Sequence, residues 1–285
     1  MQHGPGNDDT NAAPASFLRR LAGKGLRHSI HMNIGLFGGS FDPIHRGHVS
    51  LARAAADRYG LRQVLFVTAN VPPHKQNESL TAFFHRYAMV ALATQDEKQF
   101  VPSLAEAPGE PPGRGPENRG ATPSGRPGKA KHARGASNAK PDETQPNYTI
   151  DTVRRIKAGL KRSDRLFLLM GIDAFRDIAK WHEARALLGE CEFVVASRPG
   201  YSLRDVAEAL PEQLRPPAAV TRPFHKQAAT GDLVLPGVTL HLLEGVQQNV
   251  SATAIRTAAG EGKPLARWVD PRVAEYIRKM GLYGK

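Results

Sequence analysis

The chain contains a single cysteine, Cys191, among 285 residues. That excludes an internal disulfide framework and any zinc site built on several thiolates, and it suits a reducing compartment. Long apolar runs are missing too: none approaches the roughly 18 residues that a membrane-spanning helix needs. The opening stretch MQHGPGNDDTNAAPASFLRRLAGKGLRH has no apolar core of the kind a secretory signal carries. A cytoplasmic protein is expected. Residues 107–146 lack Leu, Ile, Val, Met, Phe, Tyr and Trp altogether, and fifteen of those forty positions are Gly or Pro. Such a stretch cannot bury enough apolar surface to offset its ordering entropy, so a disordered low-complexity insertion is expected there. Residues 1–31 are expected to form a disordered extension, apart from a short amphipathic helix around Phe17, Leu18 and Leu21. What remains is one domain, 32–285, interrupted at 107–146.

The net charge is +12, of which residues 1–31 supply +2 and residues 107–146 supply +3. The remaining +7 belongs to the foldable part, which suits anionic ligands and is equally compatible with nucleic-acid contact. The basic segments lack the interleaved aromatics of single-strand binders, so nucleic acid is not the expected partner.

Strand-like and helix-like segments alternate along the rest. NIGLF (33–37), QVLFVTA (63–69), RLFLLMG (165–171), EFVVASR (192–198) and VTLHLLE (238–244) read as strands. Helical patterns occupy 49–60, ended by Gly60, then 82–95, with Phe84, Tyr87, Val90 and Ala91 on one face. They recur at 148–160, where Thr149 is a candidate cap and Ile150, Val153, Ile156 and Leu160 share a face. DAFRDIAKW, EARALLG, 252–260 and 270–280 complete the helices. Strands that are apolar throughout, set between helices, predict an α/β fold: a Rossmann-like, doubly wound parallel sheet covered on both faces, with a small helical C-terminal part. Ligands of such sheets bind beyond the strand C-termini.

The segment GLFGGSFDPIHRGH (35–48) falls at such a place, between the first strand and the first helix. Gly38 and Gly39 allow close backbone approach to an anion, and a helix N-terminus adds N–H groups and a positive dipole end. No GK[ST] follows, and the glycine spacing is not that of a dinucleotide fingerprint. The pair His45 and His48 suits a capped turn, a metal or a phosphate. Zinc lacks a convincing ligand set, Asp42 aside. Inside this strand–glycine–histidine–helix context, both imidazoles can donate an N–H to phosphoryl oxygen.

The stretch resembles the signature of the nucleotidyltransferase α/β-phosphodiesterase superfamily, whose HxGH holds a nucleoside triphosphate. PPHK (72–75), NYTIDTV (147–153), GIDAFRDIAKWHE (171–183), VVASRPGY (194–201), VSATAIR (250–256) and VAEYIRKMGLYG (273–284) narrow the resemblance to bacterial nicotinate-nucleotide adenylyltransferases. It covers about 33–104 and 147–283. The resemblance implies transfer of the adenylyl group of ATP to nicotinate mononucleotide, with pyrophosphate released and Mg²⁺ brought in by ATP rather than held by a protein metal site.

Roles carry over segment by segment. His45, His48 and Arg256 would be catalytic, and Lys75, Ser251 and Thr253 would bind phosphate. Gly38, Gly39 and Ser40 would approach the nucleotide phosphates through backbone N–H groups, with Phe41 as a further nucleotide contact, Gly171 and Asp173 on the adenosine side and Arg198 on the adenine or phosphate side. Tyr148, Thr149 and Trp181 would hold the pyridine nucleotide. The implied partners are these two substrates, with no membrane, and a homo-oligomer is compatible with the chain. Departures from the family pattern are Ser40 for Thr, Ala252 for a second Ser, Asp270 for Pro, the 107–146 insertion and a lengthening at 214–237. Pantetheine-phosphate adenylyltransferases and cytidylyltransferases share HxGH without the YTIDT helix. An enzyme for nicotinamide mononucleotide is a closer rival.

Overall fold

The computed structural model describes residues 31–73, 79–109, 146–197, 200–246 and 250–284. The expected N-terminal extension up to residue 30, most of the expected insertion, and Lys75 and Arg198 lie outside the described residues.

Seven strands form one sheet. In chain order they are β1 (Asn33–Gly39), β2 (Leu61–Thr68), β3 (Phe100–Ser103), β4 (Arg165–Gly171), β5 (Glu192–Ala196), β6 (Gly231–Leu235) and β7 (Val238–Leu243). Their spatial order is β3-β2-β1-β4-β5-β7-β6. Every neighbouring pair is parallel except β6 with β7. The chain winds outward from β1 in one direction and from β4 in the other, which is the doubly wound arrangement expected.

The continuous apolar runs have a plain cause. Ile34, Leu36, Leu65, Val67, Leu166, Leu168, Met170, Phe193 and Val195 face one core, while Phe37, Val64, Phe66, Phe167, Leu169 and Val194 face the other. Successive side chains point to opposite faces, so a strand covered on both sides must be apolar at every position. Helices α1 (Arg46–Tyr59), α2 (Phe83–Thr94), α8 (Ala252–Gly260) and α9 (Pro271–Lys279) cover the second face. Helices α3 (Thr149–Ala158), α4 (Ile172–Phe175), α5 (Ala184–Glu190) and α6 (Leu203–Ala209) cover the first. A short α7 (Ala218–Thr221) precedes β6. Gly60 ends α1 with φ 60°, a left-handed cap that only glycine adopts without strain.

The structure corrects several expectations. Strands β3 and β6 were not anticipated. Pro102 disguises the first, and the second is an antiparallel edge strand inside what reads as a loop lengthening. The helix expected over 173–181 is instead α4 plus a 3-10 turn at Ile178–Lys180. Helix α2 presents a different face: Phe83, Arg86, Met89, Val90 and Thr94 are buried, whereas Phe84 is 61% exposed. A buried arginine at an inward position hides the apolar stripe. Thr149 is the first residue of α3 rather than its cap, which is Tyr148. Ile150, Val153 and Ile156 are buried as their spacing predicts. At α9 the Asp270 side chain accepts the Arg272 N–H at 2.9 Å, so the aspartate in the usual proline position caps the helix.

Candidate active site

The ladder from β1 to β2 runs through Gly39, but the ladder from β1 to β4 stops at Phe37–Leu169. Gly38 and Gly39 therefore have no strand partner on the β4 side, at the point where the winding direction reverses. A crevice at this place is where a doubly wound sheet receives ligands. Gly171, at the end of β4, caps the start of α4, and a side chain there would meet nothing within 4 Å.

The loop leaving β1 is tightly held. Phe41 adopts φ 46°, and the residue is only 2% exposed, its ring packed in the core beside Phe37 and Phe66. The residue as a whole is thus buried, and its ring serves the core rather than lying open to a nucleotide. Gly39 is needed for this packing: a Cβ there would lie 3.1 Å from the Phe41 ring. The peptide bond Asp42–Pro43 is cis. Asp42 accepts the Thr81 N–H at 3.1 Å through one carboxylate oxygen and the Tyr283 hydroxyl at 2.6 Å through the other. Burial and Asp42 together push the Tyr283 phenol far above its ordinary range.

His45 is the N-cap of α1, and its ring stacks on that of His48 with centroids 3.6 Å apart. The His45 backbone N–H donates to His48 Nδ1 at 3.2 Å. That leaves the ring proton of neutral His48 on Nε2. Desolvation, followed by the neighbouring His45, holds the His48 pKa well below 6.5, so His48 is a neutral donor at physiological pH. The edges of Phe37 and Phe41 close the other sides of the ring, at 5.8 and 5.1 Å between centroids. The capped-turn and phosphate-donor readings of this pair are thus compatible. The helix N-terminus is less open than its sequence implies, because the Arg46 N–H donates to the Trp268 carbonyl at 2.8 Å.

Two arginines fasten the loop. Arg256, on α8, donates to the Asp42 carbonyl at 2.8 Å and to Thr253 Oγ1 at 3.2 Å. It therefore lies against the loop three residues before His45, although 211 positions separate them in sequence. Ser251 caps α8, accepting the Ala254 N–H at 3.5 Å. Arg86, 2% exposed, donates to the carbonyls of Ser40 (2.7 Å), Ala69 (2.6 Å) and Thr81 (2.7 Å). Nothing in the sequence pattern singled Arg86 out. Its only signal is an arginine in a helix position otherwise reading as apolar.

A second group of expected residues converges elsewhere at the strand ends. Tyr148, Thr149 and Trp181 line one cavity of 670 Å³ together with Pro73, Lys180 and His182. Tyr148 and His182 stack at 4.1 Å. His182 was not anticipated as a wall of this cavity; adjacency to Trp181 is the only hint. Asp173 is exposed on α4 and accepts the Tyr201 hydroxyl at 3.2 Å.

No group of three or more His, Cys, Asp or Glu able to hold a metal ion occurs among the described residues. Asp42, three residues before His45, has both carboxylate oxygens engaged within the fold as above. Cys191 begins no chemistry either, since burial pushes its thiol up to about 12.

Comparison with known proteins bears on this arrangement. The cytidylyltransferase-like family model matches residues 36–258. A probable nicotinate-nucleotide adenylyltransferase of Geobacter metallireducens is 32% identical over 88% of this chain and 98% of its own length. One from Thermus thermophilus is also 32% identical, over 88% of this chain and its full length. In fold, the chain is similar to Plasmodium falciparum nicotinic acid mononucleotide adenylyltransferase complexed with NaAD. That match has a TM-score of 0.58 and 16% identity, and covers 89% of this chain and 98% of the other. With its signature loop, YTIDT helix and tryptophan cavity assembled on this sheet, the chain belongs to the cytidylyltransferase-like nicotinate-nucleotide adenylyltransferases.

Proposed function

We propose that the protein transfers the adenylyl group of ATP to nicotinate mononucleotide, forming deamido-NAD and pyrophosphate. The observation that carries this reading is the cavity in which Tyr148, Thr149 and Trp181 meet, on the same sheet end as the histidine pair. In the reaction, a phosphate oxygen of the mononucleotide attacks the α-phosphorus of ATP in line. The new P–O bond forms as the bond from the α-phosphorus to the bridging oxygen breaks, and the electron pair leaves on pyrophosphate. The attacking phosphate is already anionic, so no general base is needed, and catalysis consists of positioning and charge stabilisation.

His48 donates its Nε2–H to a phosphate oxygen while neutral, and His45 contributes beside it. Arg256 neutralises charge on the leaving phosphates, with Ser251, Thr253 and Lys75 as further phosphate contacts. Gly38, Gly39 and Ser40 approach the nucleotide through their backbone, while Gly171, Asp173 and Arg198 serve the adenosine. Trp181 stacks on the pyridine ring, and Thr149 at the start of α3 binds its carboxylate. Nucleotidyltransferases use a divalent cation with ATP. We take it to be Mg²⁺ carried by the triphosphate, supplying positive charge to the phosphates. Residues 32–285, interrupted at 107–146, act as one domain.

A carboxylate held by N–H groups and a hydroxyl cannot be exchanged for an amide without facing donors to donors. Pyrophosphate release from ATP, measured in parallel with the acid and the amide mononucleotide, should favour the acid by at least about tenfold in kcat/KM. Equal efficiency with the amide would overturn the acid-specific assignment.

A further inference from the structure

Glu106 follows β3 and is 8% exposed, yet the chemistry above makes no use of it. Its Oε1 accepts the Thr152 hydroxyl at 2.6 Å. The Asn70 backbone N–H also donates to this carboxylate, and the positive charges of Arg155 and Arg86 act on it. Two segments therefore meet on one side chain. Thr152 lies in the first turn of α3, the helix whose opening residues Tyr148 and Thr149 line the cavity. Asn70 lies just past the end of β2, and its carbonyl is reached by Arg86, the residue that also holds Ser40.

The neighbouring contacts repeat the pattern. Asn147 accepts the Val71 N–H through Oδ1 at 3.0 Å and donates its own N–H to the Val71 carbonyl at 3.0 Å. Arg155 donates to the Ala105 carbonyl. The start of α3 is thus tied to the segment leaving β2, which Arg86 in turn links to the nucleotide loop after β1, and Glu106 is the one acidic side chain in these ties.

We propose that Glu106 is a positioning residue for the mononucleotide cavity, locking the first turn of α3 to the end of β2 through Thr152 and Asn70. This rests on the reading of the cavity given under the proposed function. Fold stability alone does not call for a carboxylate here. Desolvation pushes its pKa to about 7 despite the Thr152 bond, and an apolar residue of similar volume would avoid that cost. What the carboxylate adds is two directed bonds from segments far apart in sequence. They set where the Thr149 hydroxyl and the first N–H groups of α3 stand, so a small displacement falls on mononucleotide binding and leaves the histidine pair in place.

The test is steady-state kinetics of Glu106→Gln, Thr152→Val and Thr152→Ser in the full chain, varying each substrate separately, with a thermal melt of each variant. Glu106→Gln and Thr152→Val should raise KM for nicotinate mononucleotide by about fivefold or more, with kcat and KM for ATP each within about twofold of wild type. The double variant should be no worse than the worse single, because both remove one link. Thr152→Ser, which keeps the hydroxyl, should restore the wild-type KM. Unchanged mononucleotide KM in folded Glu106→Gln, or equal rises for both substrates, would overturn the proposal. Should Glu106→Gln fail to fold, Thr152→Val decides by the same two criteria. If wild type releases no pyrophosphate with any pyridine mononucleotide, it is the proposed function that fails instead.

Discussion

Replacing Arg86 with methionine, which keeps most of the side-chain volume, isolates the worth of a buried guanidinium. The substitution leaves the carbonyls of Ser40, Ala69 and Thr81 without their donor, at contacts of 2.6 to 2.7 Å in wild type. Each bond to a charged donor contributes about 1.5–3 kcal/mol, and removing one member of a buried charged network costs about 3–5 kcal/mol. Part of the loss is returned, because burial already lowers the Arg86 pKa and the variant no longer desolvates a cation. A net destabilisation of about 4 kcal/mol follows, or roughly 10 °C in Tm for a domain of this size. Urea unfolding followed through Trp181 and Trp268 measures it directly, with the slope against denaturant unchanged if only stability moves. The surviving folded enzyme should also show a raised KM for ATP, since the Ser40 carbonyl is one of the three that lose their anchor. A loss below about 1 kcal/mol would refute the reasoning, showing that loop and strand end hold their geometry without the arginine.

His48→Ala should lower kcat by two or more orders of magnitude, since lost charge stabilisation in the transition state costs about 3 kcal/mol, while the variant still folds with a Tm lower by several degrees for the lost ring packing and cap bond. A purified variant keeping a third of wild-type turnover would refute that role. Glu106 makes stability depend on pH: its pKa is raised from 4.5 to about 7 in the fold, so its favourable contribution is complete below pH 4.5. That contribution is lost as pH rises through 7, by about 3 kcal/mol in all. Denaturant titrations at pH 5 and pH 8 should therefore differ less for Glu106→Gln than for wild type, and equal differences would count against the assignment. Replacing residues 110–145 with a short Gly-Ser link should leave Tm within a few degrees, because the segment has no large apolar side chain and loop closure varies slowly with length. A drop of roughly 10 °C or more would show that the segment helps hold the fold.

The two-faced apolar strands were readable because burial on both sides leaves no other option for Leu166–Met170 or Phe193–Val195. The edges were not. No residue of strand β6 is buried, with only Leu233 and Leu235 partly covered, and Pro102 lies in the edge strand β3, where a missing donor does little harm. Much the same division runs through the site. Tyr148, Thr149 and Trp181 belong to short segments whose spacing is distinctive, and they meet in one cavity. Arg86, Glu106 and Asn147 bond mostly to backbone, and such partners leave no residue-type signature in sequence. Phe41 was read as a nucleotide contact because of its place in the loop; its ring turned inward because φ 46° at that residue points the side chain at Phe66.

The lone cysteine has an experimental consequence. With its thiol pushed up to about 12 by burial, Cys191 stays almost wholly protonated at pH 8. An unfolded chain, with an ordinary thiol near 8.5, ionises about a quarter of its molecules at the same pH. Alkylating reagents consume only the thiolate, so labelling of the native protein is slow until the α5–β5 junction opens. Cys191 is a built-in clock for that opening: pulse alkylation read by intact mass counts unfolding events in the natural sequence, with no engineered probe.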